Sequence, residues 1–286
     1  MVRVIETAAD LLSVCDGYRA AGERVGLVPT MGALHRGHLS LVEAARRAGA
    51  VRIALSIFVN PTQFGASEDF DRYPRTMQDD LAKCAQAGVD LVYAPEVRTV
   101  YRPDFQTFVQ VERLTAECEG RFRPTHFRGV TTIVAKLFNA TGPCLAAFGR
   151  KDYQQWRVIE RMARDLDLPV EVVGCPIVRE PDGLAMSSRN RYLAPAERER
   201  ALAIHRGLVA ADRAFREGER DPAGLERLAR DPVQQAFDRI DYVAVADAHT
   251  LVPCSGSINE PAVILVAAHL GTTRLIDNAV LGEDAL

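Results

Sequence analysis

Between Gly26 and Gly49 the chain reads GLVPTMGALHRGHLSLVEAARRAG, and this stretch decides the fold. Val25–Val28 is a short apolar run, Pro29 and Gly32 make a turn, and the residues after His38 place apolar positions at helical spacing until Gly49 stops them. Strand, glycine-bearing turn and helix are the opening of a βαβ unit. Working outward, VRIALSIFV (51–59) is apolar through most of its length, as a strand covered on both faces must be. A polar loop, NPTQFGASEDFDRYPRT (60–76), precedes a helix from about Met77 to Ala87, closed by Gly88. The pattern then predicts strands at Asp90–Ala94, Phe105–Val111, Leu145–Phe148 and 170–178, with helices at Val130–Ala140 and Tyr153–Leu166. Strands alternating with helices imply an α/β fold with a Rossmann-like, doubly wound, mainly parallel sheet.

After Val178 the texture changes. A loop, MSSRNRY, leads to Pro195, which suits the first turn of a helix, and AERERALAIHRGLVAADRAFREG is charged and amphipathic. A second helix is expected at 222–238. The stretches IDYVAVAD, AVILVAAHL and TRLIDNAV then read as a small antiparallel sheet. The expected division is therefore a domain at 1–177 and a smaller C-terminal α+β domain at 178–286 that carries the MSSR loop.

Of the 286 residues 48% are hydrophobic and 26% charged, the make-up of a globular protein with a sizeable core. Lys and Arg total 35 against 38 acids, a net charge of −3, which does not favour capture of nucleic acid or of an anionic membrane. The opening MVRVIETAADLLSVCDGYRA carries acids early and does not read as a signal peptide. The longest clean apolar run, AVILVAA, is far below the ~20 residues of a membrane span. Six cysteines lie far apart without a C-x-x-C pair, so they read as reduced, buried small hydrophobes of a cytoplasmic protein.

The turn at 31–38 offers the densest chemistry. Ligands of open α/β sheets bind at the carboxyl ends of strands, where a helix N-terminus presents N–H groups and a partial positive charge to phosphate. Gly32 and Gly37 allow close backbone approach, and His35 and His38 share one face if the helix begins there. The motif is not a P-loop, because His38 stands where lysine is required, and no G-x-G-x-x-G follows the strand. A zinc pair would use i, i+4 spacing with a glutamate between, whereas position 36 is Arg. Further polar sets are Gly149–Asp152 (G-R-K-D), Ser187–Arg189, Asn60 with Gln63, and Asp79 with Asp80. Taken singly, the histidine pair also reads as a solvated helix start, and these four sets as a surface turn, a hydrophilic linker, a turn around Pro61 and the acids that helix starts favour. A magnesium role for Asp79 and Asp80 stands as the minority alternative. Arg121, Arg123, His126 and Arg128 form a basic cluster whose function spacing does not assign.

Together and in this order, PTMGALHRGH, FVNPTQF, YPRT, HFRGV, FGRKDYQQ, GLAMSSRN and LGTTRLIDN resemble the pantoate–beta-alanine ligase (pantothenate synthetase) family, of the nucleotidyltransferase superfamily with its H-x-G-H signature. The matches span about residues 25 to 278. The resemblance implies ATP-dependent joining of (R)-pantoate and beta-alanine through a pantoyl adenylate. It implies ATP contacts at Met31, Gly32, Ala33, Leu34, His35, Arg36, Gly37, His38, Gly149, Arg150, Lys151, Asp152, Val178, Met186, Ser187, Ser188 and Arg189. His38, His35, Lys151 and Arg189 would be the catalytic cations and donors. Gln63 would hold pantoate and face beta-alanine, Gln155 would hold pantoate, and magnesium on the phosphates would sit near Asp79 and Asp80. A homodimer is implied as well. Arg36 departs from the family pattern, often acidic or amide there, and implies altered nucleotide affinity. The competing functions are adenylyl transfer to a phosphorylated acceptor, against which the amides Gln63 and Gln155 speak, and a catalytically silent nucleotide-binding module.

Overall fold

Along the chain run β1 (Arg3–Ile5), α1 (Ala8–Ala20), β2 (Val25–Thr30), α2 (Arg36–Arg47), β3 (Arg52–Ile57), α3 (Met77–Gln86), β4 (Leu91–Tyr93), α4 (Val97–Val100), α5 (Glu119–Phe122), α6 (His126–Thr141), β5 (Cys144–Gly149), α7 (Tyr153–Asp165) and β6 (Val170–Cys175). After these come α8 (Pro195–Arg216), α9 (Pro222–Ala236), β7 (Arg239–Asp247), β8 (Ala262–Leu270) and β9 (Thr273–Val280). The computed structural model describes residues 2–65 and 68–283; within the polar 60–76 loop, 66 and 67 lie outside the described residues. The chain divides into two units, one of Met1–Glu112, Arg123–Arg150 and Gln155–Pro176, the other of Arg113–Phe122, Lys151–Gln154 and Ile177–Leu286.

The first unit is a six-stranded parallel sheet in the order β1-β4-β3-β2-β5-β6. From β2 the chain steps outward through β3 and β4, then returns to the other side of β2 for β5 and β6. The winding reverses between β2 and β5, and the crevice at the carboxyl ends of such a pair is where open α/β sheets take ligands. Both faces are covered, which explains the unbroken apolar runs. Leu11 and Cys15 of α1, Val130, Val134 and Phe138 of α6, and Ile159 and Met162 of α7 fill one side. Leu41, Val42 and Ala45 of α2 and Cys84 of α3 fill the other.

One expected strand is absent. Phe105–Val111 is extended but joins no sheet; Val109 donates its N–H to Thr132 Oγ1 (3.0 Å) and its carbonyl accepts Thr131 Oγ1 (2.6 Å), both on α6. The apolar and β-rich residues there rest on a helix and do not form a ladder. β1 and α1 were not foreseen.

In the second unit β7, β8 and β9 form an antiparallel meander, with a register shift between Ile240 and Tyr242. Ile204 and Leu208 of α8 and Leu225, Ala229 and Val233 of α9 pack with Val243, Val245, Ile264 and Val266 of the sheet. The two early stretches are tied in by buried polar bonds. Glu119 of α5 accepts Tyr242 Oη (2.8 Å) and both Nη atoms of Arg274 (2.6 and 2.9 Å), and its N–H donates to Gln154 Oε1 (2.9 Å). Burial alone would raise the Asp241 carboxyl, but bonds from Arg274 and His269 hold it below the usual range. MSSRNRY, expected as loop, contains a 3-10 helix at Ser188–Tyr192, started by Ser187 accepting the Arg189 N–H (3.3 Å). Among the described residues no helix is long and apolar enough to cross a membrane.

Candidate active site

β2 delivers the chain to its turn at Thr30, whose hydroxyl donates to Ser56 O (2.6 Å) and accepts the Gly32 N–H (3.1 Å). Gly32 (φ 82°) and Ala33 (φ 51°) both lie in the left-handed region, which glycine adopts freely and alanine does not. A side chain at Gly32 would press on Ile57 and on Asp80 Oδ2. Asp80, in the first turn of α3, is fully buried; its two oxygens accept the N–H groups of Ala33 (2.9 Å) and Leu34 (2.7 Å), and Thr76 Oγ1 adds a third bond (3.1 Å). Lys83 Nζ, one turn on, donates to Leu34 O (2.8 Å).

Then come the histidines. His35 is the N-cap of α2: its Nδ1 accepts the Gly37 N–H (3.1 Å), and His38 Nδ1 accepts the His35 N–H (3.3 Å), a capping box made of two imidazoles. The rings lie 4.0 Å apart, centroid to centroid. With each Nδ1 accepting, the hydrogen-bond network assigns the proton of each neutral ring to Nε2. Both imidazoles thus present an N–H donor. The backbone N–H groups of Gly32, Ala33, Leu34, His35 and Gly37 are met by Thr30, by Asp80 of α3 and by the two imidazoles. Arg36 is exposed on the first turn of α2.

The neighbouring strand β3 ends in a second turn. Asn60, 1% exposed, accepts at Oδ1 from Tyr101 Oη (2.8 Å) and Thr62 Oγ1 (2.9 Å) and donates from Nδ2 to Gly129 O (3.1 Å) and Gln63 Oε1 (3.0 Å). Gln63 Nε2 in turn donates to Met31 Sδ (3.1 Å), so the two turns meet. Burial pushes the Tyr101 hydroxyl up, partly offset by its bonds to Thr62 and Asn60. Helix α6 closes over this turn so tightly that a Cβ at Gly129 would overlap the Thr62 carbonyl. The basic cluster finds its use here. Arg123 Nη2 (3.3 Å) and His126 Nδ1 (2.9 Å) both donate to Gln63 O, and Arg123 grips Glu68 with two bonds (2.6 and 2.8 Å). Arg128 stacks on Phe108. Arg121 stands 3.9 Å from Glu117, in the second unit.

The remaining candidates divide between the units. Gly149 ends β5 beside β2, Arg150 opens the 3-10 turn that follows, and Gln155 is half-buried on α7. In the second unit Asn278 Nδ2 holds Lys151 O (2.8 Å), and Lys151 Nζ lies 3.9 Å from Asp152. Val178 O accepts the Met186 N–H (2.9 Å), which places Val178 at the base of the loop carrying Met186–Arg189. Arg179, the next residue, pairs with Asp277 (2.6 and 3.2 Å).

Asp79 and Asp80 do not fit a magnesium site. Each oxygen of Asp80 already accepts a backbone N–H of the turn, Asp79 is exposed, and among the described residues no group of three or more His, Cys, Asp or Glu could hold a metal ion. Burial pushes Cys15 and Cys84 up to about 11 and Cys118 and Cys144 up to about 12, which disfavours a thiolate at these four near neutrality.

The profile of a family described as pantoate-beta-alanine ligase matches residues 3–280. The chain belongs to that family. It is 51% identical over 280 residues to pantothenate synthetase 1 of Bradyrhizobium diazoefficiens, covering 98% of each protein. The crystal structure of pantothenate synthetase from Thermus thermophilus matches with a TM-score of 0.90 at 47% identity, covering 98% of this chain and 99% of that one. The pantoate-beta-alanine ligase of Francisella tularensis, solved in complex with beta-gamma ATP and beta-alanine, matches at TM-score 0.80 and 28% identity, covering 99% of both. Sequence reading missed the supports of the site: Asp80 as acceptor of two turn N–H groups, Asn60 as the centre of its turn, and Arg123 with His126 behind Gln63. The T-M-Q-D-D helix start was the available signal for Asp80, but nothing in spacing names its partners.

Proposed function

We propose that this chain joins (R)-pantoate to beta-alanine at the expense of ATP. The pantoate carboxylate attacks the α-phosphorus, the bond to the β-phosphate breaks, and pyrophosphate leaves. The amine of beta-alanine then attacks the acyl carbon of pantoyl adenylate, loses a proton, and displaces AMP, giving pantothenate. The observation that carries the reading within the family is the imidazole pair. Two Nε2–H donors, fixed because Nδ1 of each ring caps α2, are suited to the negative charge that an adenylation transition state spreads over phosphate oxygens.

Lys151 and Arg189 add positive charge to the nucleotide site, with Met31–His38, Gly149–Asp152, Val178 and Met186–Ser188 as its further contacts. Gln63 and Gln155 recognise the hydroxyl and carboxyl groups of pantoate, and Gln63 faces beta-alanine. The substrate carboxylate is the nucleophile, so no protein group forms a covalent intermediate. The loop at Ser187–Arg189 closes over ATP, and equal protease sensitivity with and without ATP would count against that. The enzyme works in the cytoplasm as a homodimer; six cysteines without a disulfide agree with a reducing compartment.

Pantoate-dependent exchange of labelled pyrophosphate into ATP, run without beta-alanine, tests the mechanism. Exchange is expected. Its absence, with pantothenate still produced, would remove the free-standing adenylate; exchange driven only by a phosphorylated acceptor would replace the reading.

A further inference from the structure

We infer that Asp80 is a positioning residue for the nucleotide turn, not a metal ligand, an inference that rests on the ligase reading for its kinetic part only. An ionised carboxylate only accepts hydrogen bonds, and this one is buried and makes no ion pair among the described residues. Its charge is instead met by the N–H groups of Ala33 and Leu34, the Thr76 hydroxyl, and its place in the first turn of α3. Those two N–H groups belong to the left-handed bend at Gly32 and Ala33 that swings the chain from β2 towards the His35 cap. Left alone, a non-glycine residue with positive φ relaxes; it persists where surrounding contacts over-determine it. Asp80 Oδ1 and Oδ2 take one N–H each, and Lys83 fixes the Leu34 carbonyl from the same helix face. A cation on this carboxylate would compete with both amides for the charge of its oxygens in a dry site. Gly32 belongs to the same packing, since a Cβ there would stand 3.1 Å from Asp80 Oδ2. The bend and the acid are one device, and its product is the placement of the two imidazoles.

The test is Asp80→Asn in the full-length protein, which keeps the shape but sets an amide N–H₂ or a single oxygen against two N–H donors. Hydrogen exchange by NMR is expected to show the Ala33 and Leu34 amides losing protection while the rest of α2 and α3 keeps it. Pyrophosphate exchange is expected to fall about 10²-fold in kcat/KM for ATP, the cost of a small misplacement of reacting groups. The magnesium concentration giving half-maximal exchange is expected to stay at the wild-type value. A severalfold rise in that concentration, with activity restored by excess magnesium, would overturn the inference, as would unchanged protection at Ala33 and Leu34. Should Asp80→Asn fail to fold, Thr76→Val, which removes one of the three bonds, reports the same amides with a smaller loss. If the wild-type protein shows no pantoate-dependent exchange, the ligase reading fails while the amide measurement still decides the role of Asp80.

Discussion

Two turns leave neighbouring parallel strands of one sheet, and each faces the same problem: a bend of polar backbone at the carboxyl edge of a dry core. Most of the bonds that hold their backbones run in opposite directions, with Lys83 on the Leu34 carbonyl as an exception in the first. The turn after β2 is held by its N–H groups, which run into an acid, a hydroxyl and two imidazole nitrogens. The turn after β3 is held by donors: Arg123 and His126 reach the Gln63 carbonyl, and the amide of Asn60 reaches Gly129 O. The histidines differ accordingly. His35 and His38 accept at Nδ1, whereas His126 must donate from Nδ1 to a carbonyl, so its proton sits on the other nitrogen. The side chains that close the two turns therefore differ, imidazoles in the first and amides in the second.

Substitutions can break or sharpen this contrast. The largest effect is expected from His38→Ala, which removes a preset donor of the first turn and should lower the rate of pyrophosphate exchange by ~10²-fold or more, read in single-turnover and steady-state assays; a near-normal rate would take the first turn out of the chemistry. Gly129→Ala should come next. It forces a methyl into the Thr62 carbonyl, costing about 1–3 kcal/mol in urea unfolding and raising KM for pantoate with KM for ATP unchanged. A shift in the ATP value instead would erase the division of labour between the turns. Asn60→Ala strands the Tyr101 hydroxyl and the Gly129 carbonyl and is expected to cost about 1–3 kcal/mol, and Tyr101→Phe, which removes one donor, about 0.5–1.5 kcal/mol by the same measurement. The smallest effect is expected from thiol alkylation at pH 8: with Cys15, Cys84, Cys118 and Cys144 held near 11 or 12, activity should be kept, and mass spectrometry should find the half-buried Cys254 modified first.

The helices and strands that bury a wide face were legible. α2 repeats Leu41, Val42 and Ala45 at helical spacing, and β2, β3 and β5 are apolar on both faces, so their period or their lack of one survives without knowledge of neighbours. α1 shows only Leu11 and Cys15 buried, too thin a stripe to stand out, and β1 has three residues, too few for a period. At Phe105–Val111 the β-rich composition was real but its partner was a helix, and composition does not say what covers a segment.

Turn glycines, paired histidines and helix stops act over a few residues, so the order of amino acids alone set the βαβ frame, the placement of the H-x-G-H turn at a strand end, and the family likeness. The folded arrangement decided the rest. Asp80 meets Ala33 across 47 positions of chain and Asn60 meets Gly129 across 69, distances that no local pattern spans. Which nitrogen of each histidine carries its proton, and whether an acid binds a metal or a backbone, depends on where the topology brings donors and acceptors out of water, because a buried polar group must take whatever partner the packing offers it.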